Sequence, residues 1–247
     1  TGTPVFAPDV KGDIGPGNVQ ACVPVWAFGA DLLARAFELT DIQAGVLEIA
    51  FAYADESGQP LDTLDDFRAL LSTLAQHPES VAHLGHVTRA SLGTVQRALL
   101  RVEKQGAGNL FGPSTLDVGD WIDLPALHIL DASKLYHTPR LYGALLLYIL
   151  RELATRLPEC GDLESPRLVL VFDEAHTIFH EATPALLRSI EATARLIRSK
   201  GVGLIWASQS AQDIPVIIRA QCATQIRHER EFGVGYCEFI TLDGHGQ

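Results

Sequence analysis

Five apolar residues running into two carboxylates, Leu168-Val-Leu-Val-Phe-Asp-Glu-Ala-His176, decide the fold. An unbroken apolar run of this length suits a strand buried on both faces of a parallel sheet, because helices cover each side. Downstream, Thr183-Pro184 predicts an N-cap followed by a proline at the first helical position. Leu186, Leu187, Ile190, Ala194 and Ile197 then recur at helical spacing until Lys200-Gly201 stops the helix. Val202-Gly-Leu-Ile-Trp-Ala207 reads as the next strand. Upstream, Ala126 to Asp131 predicts a strand and Pro139 to Arg156 a long helix after it. Strand, helix, strand, helix with short loops specifies an α/β fold on a parallel sheet.

Composition agrees with a globular chain. Of 247 residues 47% are apolar and 20% charged, and 19 basic against 30 acidic residues give 19 − 30 = −11. Disorder and a disulfide-stapled miniprotein are excluded. Cys22, Cys160, Cys222 and Cys237 are far apart, with no CxxC pair, and read as reduced thiols. The longest uncharged apolar stretch, Leu141 to Leu150, has ten residues, about half of the ~20 that span a bilayer. The expectation is a cytoplasmic protein with no membrane partner. Its acidity means that nucleic acid would be met only by a local basic strip or an assembled oligomer.

The remaining chain divides by texture. Thr3 to Asp13 is an apolar run that breaks into a Gly-containing turn, as at the carboxyl end of a parallel strand, where α/β folds bind ligands. Asp13 to Pro24 reads as loop. From Phe28 to Leu157 apolar residues recur mostly at helical spacing, among them Leu32, Leu33, Val46, Leu47, Phe67, Leu70 and Leu71. Thr40 with Gln43 fits a capping box, and Ser91 to Gln105 predicts a helix stopping at Gly106-Ala-Gly108. Residues 1–28 and 123–228 are therefore the expected α/β core, 29–122 a helical insertion, and 229–247 an atypical Gly-rich tail.

The chemistry concentrates after the apolar strand. Adjacent side chains of an extended strand face opposite ways, so Asp173 and Glu174 at its end can reach a metal and a water respectively. That is the form of a Walker B site, in which the first carboxylate supports Mg²⁺ and the second orients or deprotonates water. Gln209, after the next strand, suits a γ-phosphate sensor. His176, His180 and Glu181 could share a helical face, but HExxH and a third ligand are absent. Arg188, Arg195 and Arg198 recur on one face of the following helix, by default a solvated one, whereas in a ring one of them, or Arg219 or Arg227, could reach a neighbour's nucleotide.

Val5-Phe-Ala-Pro-Asp-Val-Lys-Gly-Asp13, the helices around Leu32 to Ile49, and above all Leu168 to His228 together resemble the HerA-like branch of P-loop ATPases, its bacterial YjgR-type members most closely, akin to FtsK-type DNA pumps. The resemblance implies a RecA-like core, commonly a homo-oligomeric, hexameric ring, coupling ATP hydrolysis to DNA movement or remodelling. It implies Asp173 on Mg²⁺, Glu174 on water, Gln209 as sensor, and Asp9 and Lys11 beside the ATP.

The sequence also departs from that family. Lys11, Lys104, Lys134 and Lys200 follow Val, Glu, Ser and Ser, so no GxxxxGK[ST] occurs in these residues. By resemblance the P-loop lies upstream of Val5, and with no methionine and Thr1 first, the expectation is a shortened copy. Such a copy, without first strand and P-loop, leaves a gap in the sheet. The rival expectation is a non-hydrolysing pseudo-ATPase or ring-partner module. A DEAH-box RNA helicase fails, since the tetrapeptide at Asp173 to His176 is its only support.

Overall fold

The computed structural model describes residues 2–13, 19–20, 22–104, 107–161, 163–222, 224–231 and 234–241. In chain order the elements are β1 (Val5–Asp9), β2 (Val19–Gln20), α1 (Val25–Ala36), α2 (Asp41–Ser57), α3 (Leu64–Gln76), α4 (Arg89–Lys104) and α5 (Asp120–Asp123). There follow β3 (Leu127–Asp131), α6 (Pro139–Arg156), β4 (Leu168–Phe172), α7 (His176–Phe179), α8 (Pro184–Arg198), β5 (Val202–Trp206) and α9 (Val216–Arg219). A hairpin of β6 (Thr224–Glu231) and β7 (Val234–Thr241) comes last.

The sheet has five strands in the order β2-β3-β1-β4-β5, and every pairing is parallel. Registers Asp9↔Asp131 and Phe172↔Trp206 bring the carboxyl ends of β1, β3, β4 and β5 to one edge. The gap expected within the sheet is not found, because β4 pairs with β1 on one side and β5 on the other. The open flank is instead the outer side of β5, where Ile205 is 51% exposed.

Helix α6 explains a run whose apolar residues have no gaps. All ten residues from Leu141 to Leu150 are buried, and a helix apolar all round must be enclosed all round. It packs on α8, α1 and α7, so it ties the sheet layer to the helical block. Each fully buried Leu or Ile there contributes about 1.5–3 kcal/mol. The core is continuous from Phe6 in β1 through Phe67 in α3 to Ile197 in α8.

Helix ends follow local chemistry. Thr183 Oγ1 accepts from Leu186 N at 3.2 Å and Pro184 opens α8, as the sequence predicts. Gly201, φ 78°, turns the chain from α8 into β5, a left-handed conformation that side-chain-bearing residues resist. Helix α4 begins at Arg89 rather than Ser91, because Thr88 caps it: Thr88 Oγ1 accepts from Ser91 N at 3.1 Å. Its expected stop at Gln105 and Gly106 lies outside the described residues, as do parts of the Asp13 to Pro24 loop and the end of the tail. The expected tail boundary at residue 229 falls inside the antiparallel β6-β7 hairpin. No helix among the described residues is long and apolar enough to cross a membrane.

Candidate functional site

Three loops leave the carboxyl edge of the sheet side by side, from β1, β4 and β5. The first is locked by Asp9, 1% exposed, whose Oδ1 accepts from the backbone N–H of Lys11 (3.2 Å), Gly12 (2.6 Å) and Asp13 (3.3 Å). This is the Asx-type turn that an Asp side chain makes with its own loop. Gly12 has φ 76°, so the turn needs a residue without a Cβ clash there. The result is a fixed backbone that delivers the half-exposed Lys11 side chain across the edge.

Lys11 Nζ pairs with Glu174 Oε1, in the loop after β4. Glu174 is 5% exposed, and the same Oε1 accepts from Gln209 Nε2 at 3.4 Å, in the loop after β5. Its other oxygen, Oε2, lies 3.0 Å from His176 Nδ1, without the alignment of a hydrogen bond. The Lys11 ammonium, with help from Gln209, holds the Glu174 carboxyl below the usual carboxylate range despite burial, and Glu174 raises Lys11 in turn.

Glu174 is also bent into the left-handed region, φ 48°, which costs a side-chain-bearing residue about 1–3 kcal/mol. The turn is over-determined by its neighbours. Thr177 donates to Glu174 O through both N (2.9 Å) and Oγ1 (2.8 Å), and Ala175 N donates to Ala207 O at 2.8 Å. Beneath it Phe172 and Trp206 stack at 4.8 Å, with Phe179 against the same indole. The Gln209 loop is held by Asp213, whose Oδ2 accepts from Ser208 Oγ (2.8 Å) and Ser210 N (3.1 Å).

Asp173 is exposed, its Oδ1 accepting from Glu174 N at 2.8 Å. Below the edge lies Tyr142 of α6, fully enclosed, its hydroxyl without a partner among the described residues. Burial first, then Asp173, pushes its phenol far above the usual range. Sequence reasoning missed Tyr142, because the apolar run around it gives its hydroxyl no sequence signal.

The structure thus brings Lys11, Glu174 and Gln209 into contact, sets Asp173 beside them at the surface, and uses Asp9 to shape the loop rather than face outward. The other sequence candidates are spread out. His176 turns to Glu174, whereas Glu181 lies 3.5 Å from Arg140. Arg188 and Arg198 are exposed on α8, and Arg195 pairs with Glu191. Arg219 Nε is buried without a hydrogen-bond partner among the described residues, and the Arg227 and Cys237 side chains lie outside them. Cys22, Cys160 and Cys222 are free thiols.

These residues fit half of a Mg²⁺-phosphate site. An exposed carboxylate, an ammonium and an amide at one edge match a metal and phosphate oxygens. No group of three His, Cys, Asp or Glu among the described residues could hold a metal alone, so a Mg²⁺ at Asp173 would need further ligands, such as phosphate oxygens or water. An open cleft of about 430 Å³ lies elsewhere, lined by Thr63, Asp65, Glu103 and Asn109. Arg68 neutralises both of its acidic groups at 2.5 Å each, and the cleft shares no residue with the edge.

The pattern of the helicase HerA-like C-terminal family matches residues 1–233. VirB4 of Thermoanaerobacter pseudethanolicus shares the fold with TM-score 0.55 at 20% identity, over 89% of this chain and 65% of that one. The bacterial conjugative coupling protein TrwB, in its deltaN70 unbound monoclinic form, does so with TM-score 0.55 at 12% identity, over 97% and 71%. The chain thus spans just under two thirds of that VirB4 structure, and the fold is that of RecA-like P-loop ATPases. No curated protein sequence matches.

Proposed function

The chain belongs to the helicase HerA-like C-terminal family, and from that premise we propose that its sheet edge is one half of a Mg²⁺-ATP site in a ring ATPase acting on DNA. The carrying observation is the convergence of Lys11 and Gln209, from the two flanking strand ends, on the buried Glu174 carboxylate beside the exposed Asp173. Asp173 would hold Mg²⁺, Glu174 would orient or deprotonate the attacking water, and Gln209 would read the terminal phosphate. Lys11 would lie beside the phosphates, its loop held by the Asp9 carboxylate. Bound Mg²⁺ neutralises charge on the phosphate oxygens.

In this class the remaining electrostatic stabilisation comes from P-loop amides and lysine, and a single lost donor costs ~10²- to 10³-fold in rate. GxxxxGK[ST] does not occur in the 247 residues. A second reading, in which these residues form a module that keeps the shape without turnover, rests on the Lys11–Glu174 pair, which occupies the acid that would act on water.

The test is calorimetry and phosphate release with Mg²⁺-ATP, on this chain and on the same chain carrying its native upstream sequence, each with Glu174→Gln. The expected result is turnover in the longer chain, abolished by Glu174→Gln. Binding without turnover in both forms would favour the second reading; no binding in either would defeat the nucleotide site.

A further inference from the structure

We propose that Lys11 is a positioning residue that keeps Glu174 in reserve and yields it when a phosphate anion arrives at the sheet edge. This rests on the nucleotide reading above and names how that site would be regulated.

A general base must show an oxygen lone pair to water. Here neither oxygen of Glu174 does so: Oε1 is occupied by Lys11 Nζ and Gln209 Nε2, and Oε2 faces His176 Nδ1 at 3.0 Å. The Glu174 side chain is only 7% exposed, so the arrangement keeps water away from it. The acid beside Asp173 is therefore present but held.

The holding group is built to leave. The Lys11 side chain is 47% exposed, on a flexible stem, whereas the backbone of its loop is pinned by the N–H groups of Lys11, Gly12 and Asp13 donating to Asp9 Oδ1. A terminal phosphate carries about two negative charges near neutral pH, against one on Glu174, so an anion at the edge outcompetes the carboxylate for the ammonium. Gln209, bonded to the same oxygen, couples the loop after β5 to the event. Glu174 keeps its left-handed backbone and its Thr177 anchors throughout, so only side chains need move.

Four lysines make the test direct. Reductive ¹³C-methylation keeps each ammonium charged and gives one NMR signal per lysine, assigned with single Lys→Arg variants. At fixed neutral pH the Lys11 signal should stand apart from those of the exposed Lys104 and Lys134, and Glu174→Gln should move it onto theirs. Saturating Mg²⁺-tripolyphosphate should shift the Lys11 signal in the unaltered chain and leave Lys104 and Lys134 in place. Asp9→Asn, which keeps Glu174 intact, should move Lys11 part of the way, and serves if Glu174→Gln does not fold. A Lys11 signal unchanged by both variants would overturn the proposal. Calorimetry on the same samples separates the failures. Tripolyphosphate binding with an unmoved Lys11 overturns the hand-over alone; absent binding to this chain also overturns the hand-over and leaves the resting pair, and the nucleotide reading falls with it only if the chain carrying its native upstream sequence fails to bind Mg²⁺-ATP as well.

Discussion

The loop after β4 and the helical block α1–α4 are built on opposite terms. In the block, local and tertiary chemistry agree: Phe67, Leu70, Leu71 and Leu74 on one face of α3 are wholly buried, and Thr63 and Asp66 cap its start reciprocally at 3.1 and 2.8 Å. In the loop they conflict. Glu174 has a left-handed backbone, its Oε2 and His176 Nδ1 are buried without hydrogen-bond partners among the described residues, and a carboxylate is enclosed next to another. Rule-breaking of this sort is tolerated where a ligand is to be met and is offset by regular packing elsewhere. The comparison teaches that regular packing is concentrated in the block and α6, whereas the edge carries the strain and unsatisfied polar groups on which the proposed chemistry rests.

That difference can be broken by mutation. The largest effect is expected for Phe67→Ala, wholly buried in α3, at about 3–5 kcal/mol in urea unfolding; a loss under ~1 kcal/mol would deny the block its stabilising role. Thr63→Ala removes the cap on Asp66 N and should cost about 1 kcal/mol. Glu174→Gln should change stability at neutral pH least, by ~1 kcal/mol or less, because its partner Lys11 is half exposed. A cost equal to that of Phe67→Ala would mean that the edge is structural.

Acid sharpens the same contrast. The folded-state value of Glu174 lies below its ordinary 4.5, chiefly through Lys11. Its contribution is thus present above that value and is lost as pH falls through the lower folded-state one. Stability of the unaltered chain should decline below about pH 4.5 more steeply than that of Glu174→Gln; parallel curves would remove the ion pair from the account.

How much was legible follows from range. β4, α6 and α8 are written in local pattern: an apolar run, a proline after Thr138, Thr183-Pro184. Cap chemistry misplaced α4 by two residues, since Thr88 was overlooked as an earlier cap than Ser91. The β6-β7 hairpin has no such signal, since Thr224 to Glu231 is mostly polar and lacks the apolar alternation of a strand. At the site, residue types and strand ends were readable, but the Lys11–Glu174 pair joins positions 163 residues apart and leaves no mark on either neighbourhood. The Asx turn of Asp9 was readable in principle, from an Asp three residues before Gly12. The left-handed turn at Glu174 was not, because the bond from Ala175 N to Ala207 O that helps hold it reaches across to the end of the neighbouring strand.

The most direct measurement of the central claim is the Mg²⁺ dependence of ATP binding, by calorimetry, in the chain carrying its native upstream sequence, with and without Asp173→Asn. The account predicts Mg²⁺-dependent binding that Asp173→Asn weakens by about tenfold or more, as losing one charge-assisted metal contact would. Equal Mg²⁺-dependent affinity in both proteins would contradict it, and the carboxylates at the end of β4 would then have no part in holding the nucleotide.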